Sequence, residues 1–465
     1  MQSLEKISPN RKIHFIGIGG VGMSALAGIL LAYGYKVSGS DLKINKMTQR
    51  LKTQGAEVSL GHRPENIDAQ DLVIYSSCIK ENNPEIIEAN KKNIPTMHRA
   101  SMLGLLMDKK CGIAVAGTHG KTTTTSLIAL VLKTGGLDPS FAIGADVDVL
   151  GGNAYRGESK YFVAEADESD GSFLELNPYY SVITNIDREH LDYYEDLNHI
   201  VLTFEKFIGN TDKNGVLFCC RDDENIRKAL KNYRGRVITY GFNNDADVQA
   251  FNIRLQAMQS VFECRYNGRS LGDFILNIPG KHNILNALAA ISIGVEAAID
   301  EDSIKNALYL FTGANRRFQV KNSRGGIMIV DDYAHHPTEI KATLEAARGW
   351  KKRIVGVFQP HRYSRTKFLK KEFGICFTYA DHVVITDIYA ANETPLDGIG
   401  AKAIYEEVKQ SGHKSVCFLP REKIKDYLLE TVKDGDMLLM LGAGDIGSLA
   451  EELNQKFRSA GEFNR

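Results

Sequence analysis

The sequence predicts an α/β protein of three domains built mainly on parallel sheets. Three observations carry that expectation. Short apolar runs alternate with helix-patterned stretches, the βαβ order that buries a parallel sheet beneath helices. Two of those runs lead straight into glycine-rich turns, at Gly17–Gly22 and Gly117–Gly120. The chain also has 465 residues, more than one ordinary core organises.

The first alternation opens with Ile13–Ile16 as a strand, then the turn Gly17-Ile18-Gly19-Gly20-Val21-Gly22 and an apolar helix through Leu31. Val37–Asp41 is a second strand ending in an acid, and Leu72–Tyr75 a third. Gly17, Gly19 and Gly22 fit G-x-G-x-x-G, and Asp41 follows at the spacing of a ribose-binding acid. Alone, this pattern says nicotinamide dehydrogenase. Gly442–Gly447 fits it too, after the apolar run Met437–Leu441, so the pattern chiefly marks tight strand-to-helix turns. The first turn is read as a pyrophosphate cradle whose ligand need not be NAD, and the second as a packing turn. Residues 1–108 are expected to form a Rossmann-like domain holding a nucleotide-linked substrate.

The second region, residues 109–313, is organised around Gly117-Thr118-His119-Gly120-Lys121-Thr122-Thr123. Ile113–Ala116 leads in as a strand and a helical stretch through Leu132 leads away, the context of a phosphate-binding loop. Backbone N–H groups would face an anion, Lys121 would add a mobile charge, and Thr122 could set a hydroxyl on Mg²⁺. Val115 stands where the general pattern has its first glycine, so the loop is a variant. Tyr161–Ala164 is a strand running into Glu165-Ala166-Asp167-Glu168, which puts a carboxylate where a nucleotide-bound Mg²⁺ seeks one. Period-two geometry sends Glu165 and Asp167 to one face and Glu168 to the other. The strand at Ser181–Ile186 leads to His190, a structural histidine or a second metal ligand. Asn283 and Asn286, three apart at the start of an Ala-rich helix, share a face. Asn283 could be a cap, or both amides could bond a nucleotide.

Residues 314–465 repeat the α/β alternation as a second Rossmann-like domain. Strands at Ile327–Val330 and Arg353–Phe358 run into the polar clusters Asp331–Pro337 and Gln359–Arg365, and Val383–Thr386 and Met437–Met440 complete a small sheet. Polar clusters after successive strands argue for one functional edge.

Composition narrows the function. Lys+Arg and Asp+Glu are both 57, so no basic excess points to nucleic acid or an acidic membrane. Seven scattered cysteines without Cys-x-x-Cys fit reduced thiols in a cytosol. The polar start, residues 1–12, lacks an apolar signal core, and no run reaches membrane-span length. A cytoplasmic protein without membrane insertion is expected.

The ordered set G-I-G-G-x-G-M-S, G-T-H-G-K-T-T-T-T, E-A-D-E-S-D, E-H-L-D, H-N-x-x-N-A, R-R-F and D-D-Y-A-H-H-P resembles the Mur ligases, from Ile13 to Gly447. The resemblance implies ATP-dependent amide formation with Mg²⁺, two ions, between L-alanine and the lactyl carboxylate of UDP-N-acetylmuramate, through an acyl phosphate. It implies that the loop with Gly17, Gly19, Gly20 and Gly22, together with Asp41, holds the UDP moiety. ATP would lie on Gly117, Thr118, His119, Gly120, Lys121, Thr122 and Thr123, with Asn283 and Asn286 at the adenine, Arg317 on the phosphates and Asp332 at the ribose. Thr122, Glu165 and His190 would ligate metal. Lys121, Arg317 and His361 would be catalytic, and His361, Arg362 and Arg365 would orient the amino acid and the UDP-sugar phosphates. Two positions depart from the family. Ser101 stands where glutamate is usual, which puts a substrate role there in doubt, and Gly144-Ala145 replaces a common pair of glycines. The rival within the family adds a tripeptide instead of alanine, in cell-wall recycling. A dehydrogenase and a non-hydrolysing nucleotide switch are the rivals outside it. A monomer or weak homodimer is expected.

Overall fold

The computed structural model describes residues 10–322 and 326–462; the polar start at residues 1–9 lies outside them. Three sheets follow one another along the chain. The first holds β1 (Lys12–Ile16), β2 (Lys36–Asp41), β3 (Glu57–Leu60), β4 (Leu72–Tyr75) and β5 (Thr96–His98) in the order 3-2-1-4-5, all parallel. Its switch point lies between β1 and β4, beside the Gly17–Gly22 turn, where such sheets bind ligands. The central strands were legible as apolar runs. The edge strand Glu57–Leu60 was not, because it is short and mostly exposed, with Val58 and Leu60 its two apolar residues.

The middle sheet has ten strands: β6 (Cys111–Ala116), β7 (Ser140–Val147), β8 (Gly152–Tyr155), β9 (Tyr161–Glu165), β10 (Tyr180–Ile183), β11 (Val216–Cys220), β12 (Arg236–Gly241), β13 (Val248–Leu255), β14 (Ser260–Tyr266) and β15 (Arg269–Leu276). Their order is 15-14-13-12-11-10-6-9-7-8. The run from β13 to β7 is parallel, with antiparallel β14 and β15 beyond one end and antiparallel β8 beyond the other. β6, the strand entering the phosphate loop, has β9 on one side and β10 on the other. Neighbouring strands lie about 4.8 Å apart, so their C-terminal ends deliver Lys121, Glu165 and the segment to His190 side by side.

Helix Lys121–Thr134 is buried between this sheet and helix Lys281–Glu296 despite its run of four threonines and a serine. Thr125 and Ser126 donate to the carbonyls of Lys121 and Thr122, Thr124 donates to Asn286 and Thr122 to Glu165, so these four buried hydroxyls have partners.

The third sheet holds β16 (Gln319–Asn322), β17 (Met328–Asp332), β18 (Ile354–Phe358), β19 (His382–Ile385), β20 (Val416–Phe418) and β21 (Met437–Leu441), ordered 16-17-21-18-19-20 and parallel apart from β16. β17, β18 and β21 are buried throughout: β18 and β21 are apolar end to end, as strands of a covered parallel sheet tend to be, and β17 ends in the buried acids Asp331 and Asp332. Four of the six strands, β17, β18, β19 and β21, fall on the apolar runs expected from the sequence. The turn Gly442–Gly447 packs against its own domain: Arg316 donates to the carbonyls of Gly442 and Gly444.

The apolar cores divide unevenly. One cluster runs from Ile13 through Ala314 and joins the first two domains, whereas the third domain has separate clusters on the two faces of its sheet. The third domain meets the middle one mainly through polar side chains.

Candidate active site

Gly120 sits at φ 83° and caps helix Lys121–Thr134, and a Cβ there would lie 2.5 Å from Asn286 Oδ1. Glycine is needed for both the left-handed backbone and the close approach. Val115 lies inside β6, fully buried, so the loop proper starts at Gly117 and the missing first glycine falls in the strand.

Lys121 Nζ donates to Gly117 O at 2.6 Å and to both oxygens of Glu168 at 2.8 Å. Burial would lower its pKa, but the charges of Glu168 and Asp167 outweigh that and raise it. The Thr122 hydroxyl lies 3.2 Å from Glu165 Oε2, and His190 Nε2 lies 3.6 Å from Glu168 Oε1. The structure therefore gathers Lys121, Thr122, Glu165 and His190 into one cluster. It corrects one expectation: Glu168 does not point away. β9 ends at Glu165, so strand alternation no longer governs residue 168, and Glu168 turns back to the ammonium. Asp167 instead meets Arg99 of the first domain at 2.7 Å.

Beside this cluster a cavity of about 440 Å³ opens between the middle and third domains. Its wall includes His119, Gly120, Thr123, Asn283, Asn286, Arg317 and Asp332 from the sequence reading, together with Asp187, Tyr240, His282, Thr338 and Glu339, which that reading missed. Asn283 donates to Pro279 O at 2.7 Å, and Asn286 donates to Asn283 at 3.1 Å. Asn283 is thus no side-chain cap of its helix, whose N-cap is Gly280. Asp332 receives the N–H groups of Phe318 and Ala334, and burial pushes its carboxyl up to about 6 against the charge of Arg317. The Arg317 guanidinium lies over the Tyr333 ring.

His119 lies 3.1 Å from Asp187 and 3.2 Å from Glu339, a contact between the phosphate loop and the third domain. Thr338 donates to Asp187 at 2.7 Å. Glu339 was findable in principle as the third helical residue of a capping box at Pro337–Ala347, but its N-cap is His336, outside the usual cap residues. His119, Asp187 and His336 bring three ligand-type atoms within 4.8 Å of one another. His336 takes the Thr338 N–H and lies beside Arg188 O, so these atoms already have partners and form a polar latch.

Burial would lower the pKa of His119, but the hydrogen bonds and charges of Asp187 and Glu339 lift it from 6.5 to about 9. A raised histidine pKa adds stability that is fully present below the ordinary value and lost as pH rises through the raised one. Docking of the third domain is therefore expected to weaken between about pH 6.5 and 9. Small-angle scattering across that range would show expansion in the wild type, and the trend would be lost in His119→Asn.

The remaining predicted residues are not all free to meet a ligand. Gly17 and Ile18 donate to Ser40 O, and Gly19 donates to Asp41 Oδ2 at 2.9 Å, so Asp41 braces its own turn. Arg365 is buried and grips Glu189 at 3.0 and 3.2 Å while also donating to His361 O. Arg362 lies 3.0 Å from Asp192. These arginines tie the third domain to the segment following β10 instead of standing open for a phosphate. His361 stacks on Tyr389, and burial with the nearby charges pushes its pKa down to about 2, so the ring is neutral. Ser101 lies in helix Arg99–Met107.

Fold and site together define a three-domain α/β protein with a phosphate loop at the centre of its middle sheet. Residues 12–111 match the Mur ligase family catalytic domain, 115–294 the Mur ligase middle domain and 316–444 the Mur ligase glutamate ligase domain. The UDP-N-acetylmuramate–L-alanine ligase of Geotalea daltonii is 48% identical over 451 residues, 97% of this chain and 98% of that protein. The one of Trichlorobacter lovleyi is 48% identical over 446 residues, 95% of this chain and 98% of that protein. The crystal structure of the UDP-N-acetylmuramate-alanine ligase of Thermotoga maritima is similar with TM-score 0.82 at 32% identity, covering 97% of this chain and 99% of that one. A murein peptide ligase from Psychrobacter arcticus, 24% identical, shares the fold with TM-score 0.71 over 96% of this chain and 99% of that one. The chain belongs to the Mur ligase family.

Proposed function

We propose that the protein joins L-alanine to the lactyl carboxylate of UDP-N-acetylmuramate, converting ATP to ADP and phosphate, as a step of peptidoglycan precursor synthesis. It acts in the cytoplasm as a monomer or weak homodimer. The alanine ligases 48% identical over nearly the whole chain carry the substrate assignment. The cluster around Lys121 supports the chemistry. No helix among the described residues is long and apolar enough to cross a membrane.

In this reading the cavity between the domains takes ATP, with the adenine end at Asn283 and Asn286, the ribose at Asp332 and the phosphates reaching Lys121 and Arg317 past Gly120. The Gly17–Gly22 turn takes the UDP moiety. Thr122 and Glu165 suit Mg²⁺: both offer hard oxygen donors, 3.2 Å apart, and burial raises the Glu165 pKa, a cost that a divalent cation would offset. His190 would hold a second ion. When bound, Mg²⁺ would neutralise charge on the phosphates. The lactyl carboxylate attacks the γ-phosphorus and ADP leaves, giving an acyl phosphate. The alanine amine then attacks the carbonyl carbon, loses a proton, and inorganic phosphate departs. Lys121 and Arg317 hold charge through the first step, and neutral His361 helps position the amine.

The test is phosphate release with UDP-N-acetylmuramate, ATP, Mg²⁺ and a panel of L-alanine, L-serine, glycine and L-alanyl-γ-D-glutamyl-diaminopimelate. Release strongest with L-alanine is expected. Release only with the tripeptide would move the protein to the recycling branch, and no release with any acceptor would end the proposal.

A further inference from the structure

Gly144-Ala145-Asp146, near the end of β7, has no role in the mechanism above, yet three parts of the molecule meet on it. Gly144 donates its N–H to Glu165 Oε1 at 2.5 Å, and a Cβ at that position would lie 2.8 Å from Glu165 Oε2. Only glycine lets the carboxylate so close. Two residues on, the buried Asp146 carboxylate takes Lys46 at 2.8 Å and Arg50 at 3.1 Å, both from helix Lys46–Thr53 of the first domain. The carbonyl of Asp146 takes the N–H of Asn315 at 3.1 Å, in the linker to the third domain.

Each of these partners leads to a ligand region. Asn45 caps helix Lys46–Thr53 and donates its side-chain N–H to Gly19 O at 3.0 Å, in the turn assigned to the UDP moiety. Asn315 is two residues from Arg317, on the cavity wall. The linker holds Gly313, Arg316 and Phe318 at φ 102°, 60° and 48°, a left-handed set that persists only where contacts over-determine it. Asp146 supplies one of those contacts.

Resting on the two-nucleotide reading above, we propose that Asp146 is a positioning residue that couples the UDP-substrate site to the ATP site. A ligand that orders Gly19 fixes Asn45 and the start of the helix bearing Lys46 and Arg50. Those cations hold the Asp146 carboxylate, and with it the carbonyl that seats the linker and the N–H of Gly144 that aims Glu165. Coupling of this kind must be reciprocal: each ligand tightens the other by the same factor.

The experiment is calorimetric titration of the full-length protein with ADP and Mg²⁺, alone and with saturating UDP-N-acetylmuramate, and then in the reverse order. Wild type is expected to bind the second ligand about tenfold more tightly than the same ligand alone, in either order. Asp146→Asn, and separately the surface pair Lys46→Met/Arg50→Met, should bring that ratio to within about twofold while each ligand's affinity measured alone changes little. The surface pair guards against a misfolded Asp146 variant, since Lys46 is 73% exposed. A merely structural residue would shift both single-ligand affinities and leave their ratio. Independent binding in wild type, or a ratio that survives both variants, overturns the coupling and leaves the ligase reading intact. Failure of wild type to bind either ligand overturns both.

Discussion

Lys121→Ala is expected to lower L-alanine-dependent phosphate release by roughly 10³-fold, with nearly all of the loss in kcat. The physical reason is like-charge repulsion. A carboxylate must approach a triphosphate, and at roughly 4 Å and an effective dielectric near 20 each unit pair costs about 4 kcal/mol. Lys121 is the cation best placed to offset this at the phosphate loop, held by Gly117 O and by both oxygens of Glu168. Its elevated pKa keeps the charge on throughout the working range. Glu168 restrains the ammonium without supplying its charge, so Glu168→Gln should give a much smaller loss, seen mostly as a change in KM for ATP. Steady-state kinetics with both variants would check this. Near wild-type turnover by Lys121→Ala would remove the charge argument.

Arg365→Met is expected to cut kcat/KM by roughly two to three orders of magnitude and to enlarge the radius of gyration in scattering. Arg365 and Glu189 are both buried, 5% and 8% exposed as side chains, on opposite sides of the boundary between the middle and third domains. Removing one partner leaves the other charge buried and unmatched, which costs about 3–5 kcal/mol against the docked arrangement. The double variant Arg365→Met/Glu189→Leu removes both charges and should recover docking and most of the activity. That recovery separates a strut from a substrate contact. If Arg365 served a phosphate of the UDP-sugar, the double variant would stay as impaired as the single one. The small shared apolar surface explains the sensitivity: the third domain has its own cores, and Leu191 is the middle-domain residue packed against one of them.

Much of the site could be read from the letters. The phosphate loop, the acid after Tyr161–Ala164 and the histidine after Ser181–Ile186 each follow an apolar run, and parallel strands present their C-terminal ends together. What escaped was any residue whose role depends on a partner far along the chain. Glu168 was assigned to the wrong face because the strand ends three residues earlier. Asp187 and Glu339 gained meaning only when His119 came between them, across 68 and 220 residues of chain. Arg362 and Arg365 were expected beside the amino acid and the UDP-sugar phosphates because the resemblance to the Mur ligases implies it. Their carboxylate partners lie in the E-H-L-D stretch, more than 150 positions away.

Local rules thus settled the buried central strands, the glycine turns and much of the chemistry at the strand ends, because periodicity and glycine geometry act over a few residues. The packing of three domains settled which charges stand free for a ligand and which are matched within the protein. Coulomb partners are chosen by distance in space, and a linear order of residues carries no measure of that distance until the sheets are stacked.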